Sequence, residues 1–200
     1  MLVLVGALAC ARDSGKGIGK VRASIPKDAL REGRGSAIVL EFGSPYCPAC
    51  TAFARGPLRE IIEPEVARGR IEFVYVDVSP PGVPSLAATA LRCLDGPLGD
   101  RLRLVSDSIE HLRDARSAAA FVARHSRRGV GTAAQCLHDA AALGALERGR
   151  AVAESLHVRE IPTFVVGTPS ANGRVVGRAV VGADLPAELR AAIDLALRTP

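Results

Sequence analysis

The order of strand-forming and helix-forming segments predicts that this 200-residue chain folds as an α/β domain. Two observations carry the prediction: a strand–helix–strand unit occupies the first half, and two strands and a helix end the chain. Hydrophobic residues make up 48% of the sequence, which excludes a disordered chain. No apolar run reaches the roughly 18 residues of a membrane-spanning helix.

The strand–helix–strand unit follows from apolar runs in the first half of the chain. Residues 36–43 are almost all apolar and rich in β-branched side chains, as expected of a strand buried on both faces. Residues 47–68 follow as a helix, with a bend expected at Pro57 or Pro64. Residues 71–78 form a second buried strand and complete a βαβ unit.

Residues 80–157 differ in composition from the segments on either side. They are rich in Ala, Leu and Arg and contain almost no β-branched runs, which predicts several helices. Ser108 and Thr132 are expected N-caps, and Thr132 forms a capping-box pattern with Gln135. We therefore expect a helical domain inserted between the second and third strands of the core.

The remaining segments return to strand composition and end in a helix. Residues 161–166 and 174–181 are expected strands, and Asn172 with Gly173 between them is a hairpin-turn signal. Residues 185–197 carry apolar side chains at helical spacing. The expected division is a core of residues 20–79 and 158–200, an inserted helical domain of residues 80–157 and an N-terminal segment of residues 1–19.

The five cysteines stand at positions 10, 47, 50, 93 and 136. Only Cys47 and Cys50 are close, and neither the isolated cysteines nor the four histidines have the spacing of zinc ligands. The pattern favours a dithiol that cycles between reduced and oxidised forms, and we expect no metal. Cys93 and Cys136 have two interpretations: a structural disulfide between two helices, or two separate buried thiols.

An apolar run over residues 1–9 ends at Cys10. This pattern resembles the end of a secretory signal and a bacterial lipoprotein cleavage site, although no basic residue precedes the apolar run. The alternative is a short N-terminal strand with a buried Cys10. Export would suit disulfide chemistry, because disulfides persist in oxidising compartments.

The Cys47–Cys50 pair lies where a buried strand meets a helix. Pro48 fits the first helical turn, where a missing N–H costs nothing, so Cys47 is the expected N-cap. Unpaired N–H groups and the positive end of the helix dipole then stabilise a thiolate at Cys47. Cys50 follows about one turn later as the expected buried, resolving thiol. The alternatives are an inert structural disulfide or chance spacing.

Two further residues fit this chemistry. Glu41 lies inside the first apolar strand, where a carboxylate is costly to bury, and it is an expected proton acceptor for Cys50. An edge position open to water is the alternative. Pro162 precedes the third strand and is typical of a rigid turn, with a cis bond or an ordinary trans bond. If Pro162 packs against the dithiol, the backbone of Ile161 can pair with an extended substrate segment.

These features together resemble the DsbA-like branch of the thioredoxin superfamily. The similarity rests on the sequences VLEF at residues 39–42, CPAC at residues 47–50 and IPTF at residues 161–164. It covers roughly residues 20–198 in element order. The resemblance implies a thioredoxin-like fold with a helical insertion and a cis bond before Pro162, beside the active site.

The resemblance also implies an activity, since the family catalyses thiol–disulfide exchange on exported proteins. Carried over, Cys47 is the reacting sulfur, Cys50 resolves the mixed disulfide, and Glu41 serves proton transfer. The residues expected to bind substrate are Tyr46, Ile161 and Pro162.

Two departures from the family pattern bear on the direction of electron flow. Family oxidases commonly have His where this chain has Ala49, and Ile161 is more similar to thioredoxin. We expect an oxidant that donates disulfides. The alternatives are a reductase of exported proteins and a non-catalytic metal- or peptide-binding lipoprotein.

The expected partners are exported proteins with thiols or disulfides and a membrane redox partner. We expect no cofactor. Nucleic-acid binding is also not expected, because the basic residues are interspersed with acidic ones. The expected location is periplasmic or otherwise extracytoplasmic, with Cys10 as the site of a lipid anchor if it is modified.

Overall fold

The computed structural model describes residues 20–80, 86–181 and 185–199. The strands in these ranges are β1 (Lys20–Ser24), β2 (Leu30–Gly33), β3 (Ala37–Gly43), β4 (Ile71–Asp77), β5 (Thr163–Pro169) and β6 (Arg174–Val180). The α-helices are α1 (Pro48–Arg55), α2 (Glu63–Ala67), α3 (Leu86–Cys93), α4 (Leu98–Asp107), α5 (Ala115–His125), α6 (Val130–Leu137), α7 (Ala140–Ser155) and α8 (Leu185–Arg198). The predicted N-terminal segment, including Cys10, lies outside the described residues.

The described strands form one mixed six-stranded sheet in the order β1-β6-β5-β3-β4-β2. β3 lies inside the sheet, parallel to β4 on one side and antiparallel to β5 on the other. All of its residues are buried, which explains why this segment of sequence is almost entirely apolar. The predicted α/β class is confirmed, because the βαβ unit and the terminal ββα unit share this sheet.

The helix predicted over residues 47–68 is divided. α1 ends at Arg55, a π-helical turn covers Leu58–Ile62, and α2 follows directly. Pro57 lies at the break, because a proline has no N–H with which to continue the backbone hydrogen bonds of α1. Pro64 falls in the first turn of α2, where a missing N–H is tolerated.

The edge strands β1 and β2 have no counterpart in the sequence prediction. β1 pairs with β6 and β2 pairs with β4, both antiparallel. Both strands are short and largely open to solvent, with charged side chains between the apolar ones. Edge strands of this kind lack the apolar run that identifies a buried strand such as β3.

The segment between β4 and β5 is helical, as predicted, and contains α3 to α7 and a 3₁₀ helix at Ile109–Leu112. Its side chains share one hydrophobic cluster with a face of the sheet, in which Phe73, Leu91 and Phe121 are buried. The opposite face packs in a second cluster with Ala153 of α7. Among the described residues, no helix is long and apolar enough to cross a membrane.

Cys93 and Cys136 are joined by a disulfide between the end of α3 and α6. Their Cα atoms are 5.9 Å apart, within the usual range for bridged cysteines. Of the two interpretations open from the sequence, the structure has the disulfide.

One of the two predicted N-caps is wrong. α6 has Gly129 as its N-cap, so Thr132 lies inside the helix, because the extended backbone of Gly129 already starts it. Ser108 is the N-cap of the 3₁₀ helix, as predicted, but its side chain makes no capping hydrogen bond. Side-chain caps are found instead at Asp114 before α5 and at Asp139 before α7.

The hairpin predicted at Asn172 and Gly173 is confirmed. β5 and β6 are antiparallel neighbours, and the chain reverses between them. Gly173 has a φ of 67°, a left-handed conformation that glycine adopts without steric cost. β5 begins directly after Pro162, so this proline ends the loop that leads from α7 into the sheet.

Candidate active site

Cys47 is the residue at which the chain passes from β3 into α1. It has extended backbone angles (φ −89°, ψ 118°) and is the N-cap of α1, with Pro48 in the first turn, as the sequence predicts. Its Sγ accepts a hydrogen bond from the backbone N–H of Cys50 at 3.2 Å. As the N-cap, Cys47 places its sulfur at the positive end of the helix. Because Cys47 is only half-buried, the residue remains open to an incoming thiol.

Cys50 lies one turn further along α1 and is only 5% exposed. Both cysteines are free thiols in this structure. Burial raises the pKa of Cys50 well above its ordinary value, and a hydrogen bond with the Cys47 sulfur and the charge of Glu41 raise it further. Cys50 therefore keeps its proton at neutral pH and needs a base before it can attack a disulfide.

Glu41 lies in the middle of β3 and is 2% exposed. Because β3 pairs on both sides, the alternative of a solvent-open edge position is wrong. Burial raises the pKa of Glu41 from its usual 4.5 to about 8, and its Oε2 has no hydrogen-bond partner. Gly43 makes room for the carboxyl group, since a Cβ there would lie 2.9 Å from Glu41 Oε1 and 2.9 Å from the Tyr75 ring.

The peptide bond between Ile161 and Pro162 is cis, as the resemblance implies and contrary to an ordinary trans turn. The Cys47 thiol donates to the carbonyl oxygen of Ile161 at 3.6 Å, so this loop lies directly beside the nucleophile. The hydroxyl of Thr163 donates to the carbonyl of Glu160 at 2.6 Å and closes the loop around the proline. The structure thus brings together segments 114 positions apart in sequence.

Tyr46, the third predicted substrate-binding residue, precedes Cys47 and is half-buried. Burial raises the pKa of its phenol. It lines an open groove of about 480 Å³ on the side of the dithiol that faces the helical insertion. Other residues of this groove are Pro48, Thr51, Arg55, Ile109 and Arg113.

A second buried carboxyl group, Asp77 at the end of β4, has no counterpart in the sequence prediction. It is 6% exposed, and burial raises its pKa to about 6 although hydrogen bonds from Ser79 oppose the shift. Its Oδ2 is buried without a hydrogen-bond partner. A sequence signal was present, because Asp77 interrupts an apolar strand in the same way as Glu41.

No group of three or more His, Cys, Asp or Glu side chains in the described part of the chain could hold a metal ion. The dithiol therefore lacks the additional ligands that a zinc site with Cys47 and Cys50 would need there. The Cys93–Cys136 disulfide belongs to α3 and α6 of the insertion and not to α1.

The sheet order and the position of the dithiol at the start of α1 define a protein of the thioredoxin-fold class. A family model described as Thioredoxin matches residues 33–194. The chain belongs to this thioredoxin family. A search of the curated proteins found no match.

DsbA proteins are among the solved structures that share this fold. The oxidised BdbD of Bacillus subtilis is 16% identical with a TM-score of 0.69, over 92% of this chain and 100% of that one. Wolbachia pipientis α-DsbA1 is 16% identical with a TM-score of 0.70, over 86% and 93%. The thiol-disulfide exchange protein α-DsbA2 of the same organism is 16% identical with a TM-score of 0.61, over 84% and 86%. The predicted resemblance is confirmed in the fold.

Proposed function

We propose that the protein is a thiol–disulfide oxidoreductase that acts through Cys47 and Cys50. One observation carries the proposal: the Cys47 sulfur is a half-exposed N-cap that contacts both the N–H of Cys50 and the carbonyl of Ile161. This arrangement places an accessible sulfur next to a backbone donor and beside backbone that can hold a substrate. The fold shared with a Wolbachia thiol-disulfide exchange protein supports the same activity.

The exchange begins with Cys47 and Cys50 joined in a disulfide. A substrate thiolate attacks Cys47 Sγ, a substrate–Cys47 disulfide forms, and Cys50 leaves as a thiolate that takes up a proton. A second substrate thiolate then attacks the substrate sulfur, and Cys47 leaves as a thiolate. Two electrons pass from the substrate to the enzyme, and the substrate gains a disulfide. Run in reverse, the same steps reduce a substrate disulfide.

Glu41 is proposed to carry the proton of Cys50. With a pKa near 8, Glu41 is mostly protonated at neutral pH and can protonate the Cys50 thiolate as it leaves. In the reverse direction the ionised carboxylate takes the proton and leaves Cys50 free to attack the mixed disulfide. The burial of both groups makes bulk water a poor substitute for this carrier.

Ile161, Pro162 and Tyr46 are proposed to bind the substrate. The Ile161 carbonyl that accepts from the Cys47 thiol can instead accept a backbone N–H from an extended substrate segment. Tyr46 precedes Cys47 and lines the groove next to the insertion.

For the direction of transfer we propose an oxidant, with a reductase as the alternative. The helix N-terminus favours the Cys47 thiolate and hence the reduced form. Ala49 between the cysteines supplies no polar side chain to this thiolate, which favours the reductase. The reduction potential of the Cys47–Cys50 pair tests the direction. A value above that of thioredoxin supports the oxidant, and a value at or below it supports the reductase.

The proposed substrates are exported proteins, and the proposed location is periplasmic or otherwise extracytoplasmic. The Cys93–Cys136 disulfide supports this, because stable disulfides persist in oxidising compartments. We propose a membrane redox partner that reoxidises the dithiol and a lipid anchor if Cys10 is exposed by processing. The core of residues 20–79 and 158–200 would carry the chemistry, with residues 80–157 as the inserted domain.

The experiment that tests the activity uses a reduced, unfolded protein whose native state contains disulfides. The oxidised enzyme should form disulfides in that substrate and lose its own in equal amount. Cys47→Ser should abolish the transfer, whereas replacement of both Cys93 and Cys136 by Ala should leave it. Equal transfer by Cys47→Ser would overturn the proposal.

A further inference from the structure

A buried polar network lies behind the turn that carries Cys47. Its members are Ser44, Ser79 and Asp77, which are 2%, 4% and 6% exposed. The hydroxyl oxygens of Ser44 and Ser79 are 2.7 Å apart, and the backbone N–H of Ser79 donates to Asp77 Oδ1 at 2.8 Å. The network joins the end of β3 to the end of β4, across 35 positions of sequence.

Ser44 connects this network to the nucleophile. Its carbonyl accepts the backbone N–H of Cys47 at 3.1 Å, and its hydroxyl accepts the backbone N–H of Tyr46 at 3.2 Å. Both N–H groups of the turn are therefore held by one residue. A shift of Ser44 would move the Cys47 sulfur away from the N–H of Cys50 and the carbonyl of Ile161.

The insertion packs against the other end of the network. Arg150 of α7 donates to the carbonyl of Ser79 at 3.3 Å, and its charge, with that of Arg92 of α3, favours an ionised Asp77. α7 approaches β4 closely at Gly149, where a Cβ would lie 2.5 Å from the carbonyl oxygen of Asp77. Burial raises the pKa of Tyr75 in β4, and the charges of Asp77 and Glu41 raise it further.

We propose that the Ser44–Ser79–Asp77 network is a positioning device that holds the Cys47 sulfur in its reactive place and ties it to α7 of the insertion. The inference rests on the proposed function only in taking Cys47 as the nucleophile. Asp77 acts through Ser79, and Ser79 acts through Ser44, whose backbone holds the Cys47 turn and also hydrogen-bonds to Cys50. A hydrogen-bond acceptor retained at position 77 should be sufficient, because the bond to Ser79 needs an oxygen and not a charge.

The test measures the rate at which iodoacetamide alkylates Cys47 in the reduced protein across pH, together with thiolate absorbance near 240 nm. Ser79→Ala should slow alkylation at pH 7 by about five-fold, the factor that corresponds to about 1 kcal/mol for one hydrogen bond. Asp77→Ala should have a similar effect, and Asp77→Asn, which keeps an acceptor oxygen, should restore most of the rate.

A double-mutant cycle separates a network from independent effects. Ser44→Ala with Ser79→Ala should be no slower than Ser44→Ala alone, because both changes remove the same hydroxyl contact. The proposal would be overturned if the double variant were slowed by the product of the two single-variant factors. An unchanged alkylation rate in Ser79→Ala would overturn it as well. If Ser44→Ala does not fold, the Ser79 and Asp77 variants decide the outcome by themselves.

Asp28→Asn is the matched control for general destabilisation. Asp28 also pairs with α7, through Arg148, and accepts a bond on its carbonyl from Arg92, but it does not contact the Cys47 turn. Its replacement should lower stability without slowing alkylation, and an equal slowing would refute the proposal. Because alkylation needs no protein substrate, a chain without exchange activity could still show the network effect, and the two failures are distinguishable.

Discussion

Replacement of Glu41 by Gln should stabilise the protein while it impairs proton transfer. Glu41 is buried in the centre of the sheet without a cation beside it, and its pKa is raised to about 8 from a usual 4.5. Between these values the folded protein holds a proton that the unfolded chain has released. Because the unfolded state binds fewer protons there, stability falls as the pH rises from about 4.5 to about 8.

The magnitude follows from the distance between pH 7 and the unfolded pKa. At pH 7 the unfolded glutamate lies about 2.5 pH units above its pKa of 4.5, and each unit corresponds to about 1.4 kcal/mol. Folding with Glu41 protonated therefore costs about 3 kcal/mol at pH 7 and almost nothing at pH 4. Gln is neutral at every pH and similar in shape, so Glu41→Gln removes this cost.

Urea unfolding followed by far-ultraviolet circular dichroism measures the difference, with both proteins under the same reducing conditions. We expect the free energy of unfolding of Glu41→Gln to exceed that of the wild-type protein by about 3 kcal/mol at pH 7 and to equal it at pH 4. Glu72→Gln is the control, because Glu72 is a strand glutamate paired with Arg31 at the surface. It should change stability by no more than about 1 kcal/mol at either pH. The reasoning would be refuted if Glu41→Gln were no more stable than the wild-type protein at pH 7, or if it gained equal stability at pH 7 and pH 4.

Three further predictions concern catalysis and packing. Glu41→Gln should slow oxidation of the reduced dithiol by a small disulfide by at least about 100-fold in the step that Cys50 performs, seen as accumulated mixed disulfide. Replacement of Cys93 and Cys136 by Ala should lower the free energy of unfolding by about 4 kcal/mol, because the bridge spans 43 positions; an unchanged urea midpoint would contradict this. Gly149→Ala should destabilise by about 1 to 3 kcal/mol because its Cβ would lie 2.5 Å from a backbone oxygen, whereas Gly131→Ala in α6 meets nothing within 4 Å and should not destabilise.

The parts of the fold that could be predicted from sequence are those with a strong local pattern. β3 and β4 are apolar because they are buried, and the Asn172–Gly173 turn requires the conformation that glycine provides. The position of Cys47 as an N-cap could also be predicted, because Pro48 is tolerated in the first turn of a helix.

Features that depend on distant contacts could not be predicted in this way. β2 and β1 are short edge strands whose pairing partners lie far away in sequence. The bond between Ser44 and Ser79 joins residues that are individually unremarkable, since serine is common in loops and turns. The start of α6 depended on the backbone at Gly129, which outweighed the capping pattern at Thr132.

The most direct test of the central claim is to trap the mixed disulfide that the exchange requires. In a Cys50→Ser variant the resolving thiol is absent, so Cys47 should remain covalently bound to a protein substrate that carries a disulfide. Mass spectrometry of the linked peptides should place the bond at Cys47, and Cys47→Ser should form no adduct. Absence of the adduct from Cys50→Ser, or a bond through another cysteine, would contradict a reaction that begins at Cys47.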